Sequence, residues 1–190
     1  MSIGYSVEGS TDRAFLEGLK RRWLPDAKLV EGAFRGTSIR REIPKICREL
    51  SHKGANAIVF LTDANLQPWR ETKQRESEYV PVEYRHMTVY GVADRNIECW
   101  LAADRDYLAQ QLAISQNELD VDDPKGILER AMGITSYDRK EEGIATLVLN
   151  APLRNWLKNS ASFDTFYEEA RALSKQQNHT IPNEREQPQA

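Results

Sequence analysis

The sequence predicts an α/β fold in which about four mostly parallel strands are flanked by helices and followed by a helical C-terminal part. Short β-prone runs alternate with segments of helical apolar spacing through residue 104, and this alternation is typical of βαβ units. Residues 56–63, NAIVFLTD, form a continuous β-prone run of the kind found in parallel strands that are covered on both faces. Helical spacing dominates after residue 104, so the remainder is predicted to be helical.

The first predicted strand and helix meet at a glutamate. Residues 3–7 alternate between apolar and smaller or polar side chains, and this period of two ends at Glu8. Gly9 allows close backbone approach, and Ser10 is predicted to cap a helix that runs to about Trp23. Because glutamate is a poor choice for a tight turn or cap, Glu8 is a candidate for function.

The remaining elements follow from the same patterns. Further strands are predicted over 28–34, 56–63 and 86–94. A well-marked helix starts after Thr37 or Ser38, and another is predicted over 96–104, NIECWLAAD. Helical apolar spacing then recurs around 105–113, 126–132, 139–149 and 163–175.

The length of 190 residues suits one core better than two large domains. We expect an α/β core over 1–104 and a helical extension packed on it over 105–177. The polar, proline-containing residues 178–190 are predicted to be a disordered tail. No apolar run approaches the roughly 20 residues of a membrane span, and the N-terminus lacks a secretory-signal pattern, so we expect a cytoplasmic protein with no membrane partner.

Charge and cysteine usage narrow the classes of function. The net charge of −3 argues against a protein that holds DNA by charge alone. Cys47 and Cys99 share no metal-ligand spacing with a histidine, which favours buried reduced thiols over a disulfide or a zinc site. Basic residues cluster in the first half of the chain, where they form either a phosphate-facing surface or a solvated helix face. The candidates for phosphate contact there are Arg35, Arg40, Arg41 and Lys45.

Three of the four predicted strands end on an acid: Glu8, Asp63 and Asp94. Glu98 follows one turn into the next helix. The carboxyl ends of parallel strands share one edge of the sheet, where ligands bind. Crowded carboxylates are stable mainly when they share a cation, or when they are solvated and far enough apart. Oxygen ligands of this kind indicate Mg²⁺ or Mn²⁺. For single residues the alternatives are a helix cap at Asp94, a turn at Asp63 and a solvated helix position at Glu98.

SVEGSTDRAFL followed by IVFLTDAN resembles the TOPRIM domain, the metal-dependent catalytic domain of topoisomerases, primases and OLD nucleases. The later stretches GVADRNIECWLAAD, DDPKGILERAM and APLRNWLKNSASFDTFYEEARAL are similar to short TOPRIM-like, OLD-nuclease-related proteins. The resemblance covers most of residues 1–177 and implies a TOPRIM/Rossmann-like core. In that reading Glu8 is the general acid/base or a metal ligand, and Asp63 binds Mg²⁺. Asn65 stands where the family has a second aspartate, which puts a full two-metal site in doubt.

The resemblance further implies a nuclease that cleaves phosphodiesters, of DNA in preference to RNA, in defence against phage or foreign DNA. Glu98 matches the acid before the family's tryptophan. Lys125 stands in a DPK motif, where it either contacts phosphate, as the resemblance implies, or is an ordinary solvated lysine in the first turn of a helix. The predicted catalytic residues are Glu8, Asp63 and Glu98, and the predicted metal ligands are Glu8, Asp63, Asn65, Asp94 and Glu98. An ABC-type or SMC-type ATPase partner, or self-assembly into a homo-oligomer, is expected to supply the grip on DNA.

Two alternatives stay open. One is a catalytically degenerate TOPRIM scaffold that docks onto an ATPase, and Asn65 is the residue that supports it. The other is a receiver-like signalling module, which would also place an aspartate after its third strand. A receiver is expected to carry paired acids after the first strand and a lysine after a late strand, and neither is visible in the sequence.

Overall fold

A computed structural model describes residues 1–32, 39–119, 123–131 and 137–186. It contains a four-stranded sheet in the order β2-β1-β3-β4, and every neighbouring pair is parallel. The predicted α/β, Rossmann-like fold with a helical C-terminal part is therefore confirmed. The strands are β1 (Ser2–Val7), β2 (Lys28–Glu31), β3 (Ala57–Asp63) and β4 (Thr88–Ala93).

Helices connect and follow the strands. Those within the α/β part are α1 (Ser10–Trp23), α2 (Ile39–His52), α3 (Trp69–Ser77), α4 (Val82–Arg85) and α5 (Ile97–Leu101). Those after it are α6 (Arg105–Leu112), α7 (Pro124–Ala131), α8 (Tyr137–Asn150), α9 (Leu153–Asn159) and α10 (Ala161–Gln176). None of the described helices is long and apolar enough to cross a membrane.

The strand order creates a switch point between β1 and β3. From β1 the chain moves to β2 on one side, and it then returns to place β3 on the other side of β1. In open parallel sheets, ligands bind in the crevice outside the carboxyl ends of the two strands that flank such a reversal. The ends of β1 and β3 are therefore the places where the fold positions a site.

Each face of the sheet carries its own apolar layer. On the first face, α1, α5, α9 and α10 bring together aromatic rings, among them Phe15 stacked on Trp156 at 5.9 Å between centroids. On the second face, α2 and α3 cover the sheet, and Phe60 stacks on Tyr90 at 5.3 Å. Cys47 is a buried free thiol in this second layer, as the sequence predicts.

Helix α1 packs closely against α8. A Cβ atom added at Gly18 would lie 2.6 Å from both the Ala145 carbonyl oxygen and the Val148 Cβ, so only glycine fits at this crossing. This contact joins the α/β part to the C-terminal helices.

The prediction of a disordered tail from residue 178 is wrong for residues 178–186. Ile181 is buried, and Glu184 is only 1 % exposed. The Glu184 carboxylate accepts two hydrogen bonds of 2.7 Å from the Arg22 guanidinium and one of 2.9 Å from the Trp23 indole N–H. Composition averages over such a segment and misses one apolar anchor and one buried ion pair. Residues 187–190 lie outside the described part.

Candidate functional site at the switch point

Glu8 and Asp63 meet at the switch point, as predicted from their places at two strand ends. Glu8 directly follows β1, and Asp63 is the last residue of β3. The Asp63 backbone N–H donates a hydrogen bond of 3.3 Å to Glu8 Oε1. Gly9 has an extended backbone and a Cβ there would make only an ordinary contact, so close approach does not require this glycine.

Asp12 is a further carboxylate of the site that the sequence analysis did not single out. It lies in the first turn of α1, is 7 % exposed, and accepts a hydrogen bond of 2.8 Å from the Gly9 N–H at Oδ2. Gly9, and not Ser10, is the N-cap of α1. Its place in the first turn of the helix that starts after Glu8 is a local signal, but its burial depends on how α1 packs on the sheet.

Glu98 comes to the site from α5. That helix begins after Asn96, whose side chain caps it by accepting a hydrogen bond of 3.2 Å from the Cys99 N–H. Glu98 is 5 % exposed, and its carboxylate makes no hydrogen bond or ion pair with any residue in the described ranges. A buried carboxylate without a partner is costly, so a cation bound beside Glu98 would stabilise it.

The carboxylates of the site repel one another. Burial, followed by the nearby charges of Asp12, Glu8 and Glu98, raises the pKa of Asp63 to about 7, while the hydrogen bond from the Ile97 N–H opposes the shift. Burial, with smaller contributions from Glu98 and Glu8, also raises the pKa of Asp12 to about 6. Desolvation raises the pKa of Glu8, although the residue is partly open to solvent. The site therefore carries a concentrated negative potential.

A further buried carboxylate, Glu76, lies on the other face of the sheet. It accepts hydrogen bonds from Thr62 Oγ1 at 3.2 Å and from the Tyr90 hydroxyl at 3.0 Å. Its charge contributes to the raised pKa of Glu8, so Glu8 feels carboxylates on both faces. The sequence gives no signal for Glu76, because it stands in a uniformly polar helix, α3.

Asn65 occupies a left-handed turn, with φ at 54°. Its N–H donates to the Arg95 carbonyl at 2.8 Å, and its side-chain amide donates to the Asp63 carbonyl at 3.3 Å. Asparagine tolerates this conformation well, and an aspartate carboxylate could not donate that second bond. Asn65 thus has a structural role in the turn that follows β3.

Asp94 is exposed and does not belong to the coupled group of acids. Burial raises its pKa and the Arg70 charge lowers it. The alternative that Asp94 caps the next helix is wrong, because Asn96 performs that role. Asp104, by contrast, is the N-cap of α6 and accepts a hydrogen bond of 3.0 Å from the Tyr107 N–H.

Of the predicted phosphate contacts, the structure describes the side chains of three, Arg41, Lys45 and Lys125. Arg41 and Lys45 are exposed on α2, and Lys45 pairs with Glu42 at 2.9 Å. Lys125 is exposed in the first turn of α7. Arg35 and the side chain of Arg40 fall outside the described part of the chain.

The donor set fits a hard divalent cation in its chemistry. Glu8, Asp12, Asp63 and Glu98 supply carboxylate oxygens, and the described residues provide no Lys or Arg that pairs with them. The described side chains are not arranged as a finished cage, since no three His, Cys, Asp or Glu side chains in those ranges are placed to hold a metal ion. Water and a substrate oxygen would have to complete the coordination shell, which is the usual condition of Mg²⁺ in enzymes.

Comparisons with known proteins found no family model, no curated protein and no solved structure that matches this chain. The resemblance to TOPRIM domains therefore stands on the sequence motifs, and the site stands on its own geometry.

Proposed function

We propose that this chain is a Mg²⁺- or Mn²⁺-dependent nuclease of the TOPRIM type that hydrolyses nucleic-acid phosphodiesters, of DNA in preference to RNA. One observation carries the proposal. Asp12, Asp63 and Glu98 crowd beside Glu8 at the switch point of a parallel sheet, and the described residues provide no cation to balance them. A divalent cation would relieve that repulsion.

The residues divide into two roles in this proposal. Asp12, Asp63 and Glu98 are the more buried acids, and their side chains would have to draw together, with water and a substrate oxygen, to hold the cation, which when bound polarises the scissile phosphoryl group. Glu8 is the more exposed acid, and the Asp63 N–H orients it. The pKa of Glu8 is raised, that is, shifted toward neutral pH. Such a shift suits a group that accepts or donates a proton at the reacting oxygen.

The partners implied by the sequence motifs belong to the same proposal. An ABC-type or SMC-type ATPase, or a second copy of the chain, would hold the nucleic acid, since the net charge of −3 gives weak attraction for a polyanion. The process would be cytoplasmic defence against phage or foreign DNA.

A docking scaffold is the second candidate, favoured by the turn at Asn65. In that case the Asn65 amide would only donate its hydrogen bond to the Asp63 carbonyl, and the site would not catalyse a metal-dependent reaction. A receiver-like module is less well supported. Asp63 would have to be the phosphate acceptor, and a carboxyl with a pKa of about 7 is only about half ionised in neutral solution, which weakens it as a nucleophile.

A cleavage assay on the purified full chain tests the proposal. Supercoiled plasmid should be nicked in Mn²⁺ or Mg²⁺ and left intact in EDTA. The variants Glu8→Gln and Asp63→Asn should each lower the rate by at least about 100-fold, the range for losing a general base or a charged contact to the reacting group. Asp26→Asn is the matched control, because it removes a charge from an exposed loop. Unchanged cleavage by Glu8→Gln and Asp63→Asn would contradict the site assignment.

A further inference from the structure

An open concavity of about 630 Å³ lies beside α9, and none of the acids of the switch point lines it. Its lining consists of Arg154, Asn155, Lys158 and Arg185, and the carboxylates of Asp164 and Glu168 adjoin it through their contacts with Arg185. We refer to these four residues as the α9 basic surface.

Arg154 and Lys158 are exposed and have no described partner. Neither makes a hydrogen bond or an ion pair with any residue of the described ranges. Many other cations are neutralised within the chain, as Arg13 is by Glu141 at 2.6 Å. The third cation, Arg185, keeps nearly half its side chain exposed, but it is paired with Asp164 and with Glu168 at 2.9 Å. The uncompensated charge of the surface therefore comes from Arg154 and Lys158.

The surface is built on a firmly held helix. Trp156 and Leu157 of α9 are buried in the aromatic layer. Asn155 donates a hydrogen bond of 2.6 Å to Asp104, and Asn159 donates one of 2.7 Å to the Ala103 carbonyl. The two cations are thus displayed from a fixed backbone, and little ordering of the helix would oppose binding there.

We propose that the α9 basic surface binds the phosphate backbone of a DNA duplex. Residues four apart on a helix have Cβ atoms about 5–6 Å apart. A duplex presents one phosphate per strand about every 3.4 Å of rise, so Arg154 and Lys158 can each contact a separate phosphate. The lining offers charge and no apolar slot for a base, which is typical of contacts that position DNA without reading its sequence.

This inference rests on the proposed function in one respect, that nucleic acid is the partner. It assigns DNA binding to α9, whereas the sequence predicted phosphate contacts on α2. It also gives the chain itself a contribution to binding, in addition to any ATPase partner.

The test measures binding of a fluorescently labelled DNA duplex to the full chain by fluorescence anisotropy. EDTA is present so that no cleavage occurs. Arg154→Ala/Lys158→Ala should weaken binding roughly tenfold at low salt and reduce the slope of log K against log salt by about two. Lys28→Ala/Lys175→Ala is the matched control, since it removes two exposed charges elsewhere and should change affinity less than twofold.

Three results would overturn the inference. They are no duplex binding by the unaltered chain, equal losses in both double variants, and a loss in Arg41→Ala/Lys45→Ala with none in Arg154→Ala/Lys158→Ala. The same assay is repeated with poly-L-glutamate as the probe. If poly-L-glutamate binds as tightly as DNA, the inference is also overturned and the surface is assigned to acidic proteins instead. Because the assay contains no metal, its failure is separate from a failure of the nuclease proposal.

Discussion

Asp63 is the residue of the site at which burial and neighbouring carboxylates disfavour ionisation most. It ends a buried strand, and three other carboxylates raise its pKa beyond the effect of burial. A carboxyl whose pKa is higher in the folded than in the unfolded chain binds its proton more tightly when folded. Its ionisation therefore costs stability, and the cost grows as pH rises from about 4 to about 7.

Replacing this carboxyl with a neutral amide should stabilise the metal-free protein. We expect Asp63→Asn to raise the free energy of unfolding at pH 8 in EDTA by about 1–3 kcal/mol, with the difference vanishing toward pH 4. Asparagine keeps an oxygen that can accept the Ile97 N–H, so the gain reflects charge alone. Urea unfolding of both proteins across this pH range gives the answer. A variant that is less stable at pH 8, or equally favoured at pH 4, would refute the electrostatic account.

The elements of the sheet were predictable because each has a strong local pattern. The continuous run that became β3 and the alternation that became β1 fix which residues stand at the strand ends, and so Glu8 and Asp63 could be assigned to one edge. Asp12 and Glu76 were not assigned, because their burial depends on how α1 and α3 pack on the sheet. Helix α9 was not predicted either, and Trp156 and Leu157 gain their place only from contacts with distant elements.

The segment 177–186 behaves as an element of the fold although its composition is that of a linker. The Tyr167 hydroxyl donates to the Pro182 carbonyl at 2.7 Å and accepts the Glu184 N–H at 2.8 Å. Together with the pair between Arg22 and Glu184, these bonds tie the segment to α1 and α10.

Removing the charge of Glu184 should therefore destabilise the whole protein. Glu184→Ala leaves Arg22 without its main carboxylate partner in a partly buried position, and the loss of one member of such a pair costs about 3–5 kcal/mol. Glu186→Ala is the control, because that side chain is exposed, and it should change stability by less than about 0.5 kcal/mol. Thermal unfolding of the two variants measures the difference. Equal melting temperatures would mean that the segment adds no stability.

At the scale of the whole molecule, charge is separated into two regions. Carboxylates converge at the switch point, and unpaired cations stand on α9. The parallel sheet creates the first region, since it brings strand ends distant in sequence to one edge. The C-terminal helices create the second. In the proposed nuclease, the first region would hold the cation and the second would contact the phosphates.

Binding of Mn²⁺ to the full chain, measured by titration calorimetry at pH 8, tests the central claim most directly. At this pH Asp63 and Asp12 are ionised, so their repulsion is greatest and a cation gains most. The account predicts saturable binding that Asp63→Asn and Glu98→Gln each weaken at least about tenfold, as expected for the loss of a charged ligand or its support. Asp26→Asn should bind as the unaltered chain does. The absence of Mn²⁺ binding, or equal affinity in all four proteins, would contradict the account.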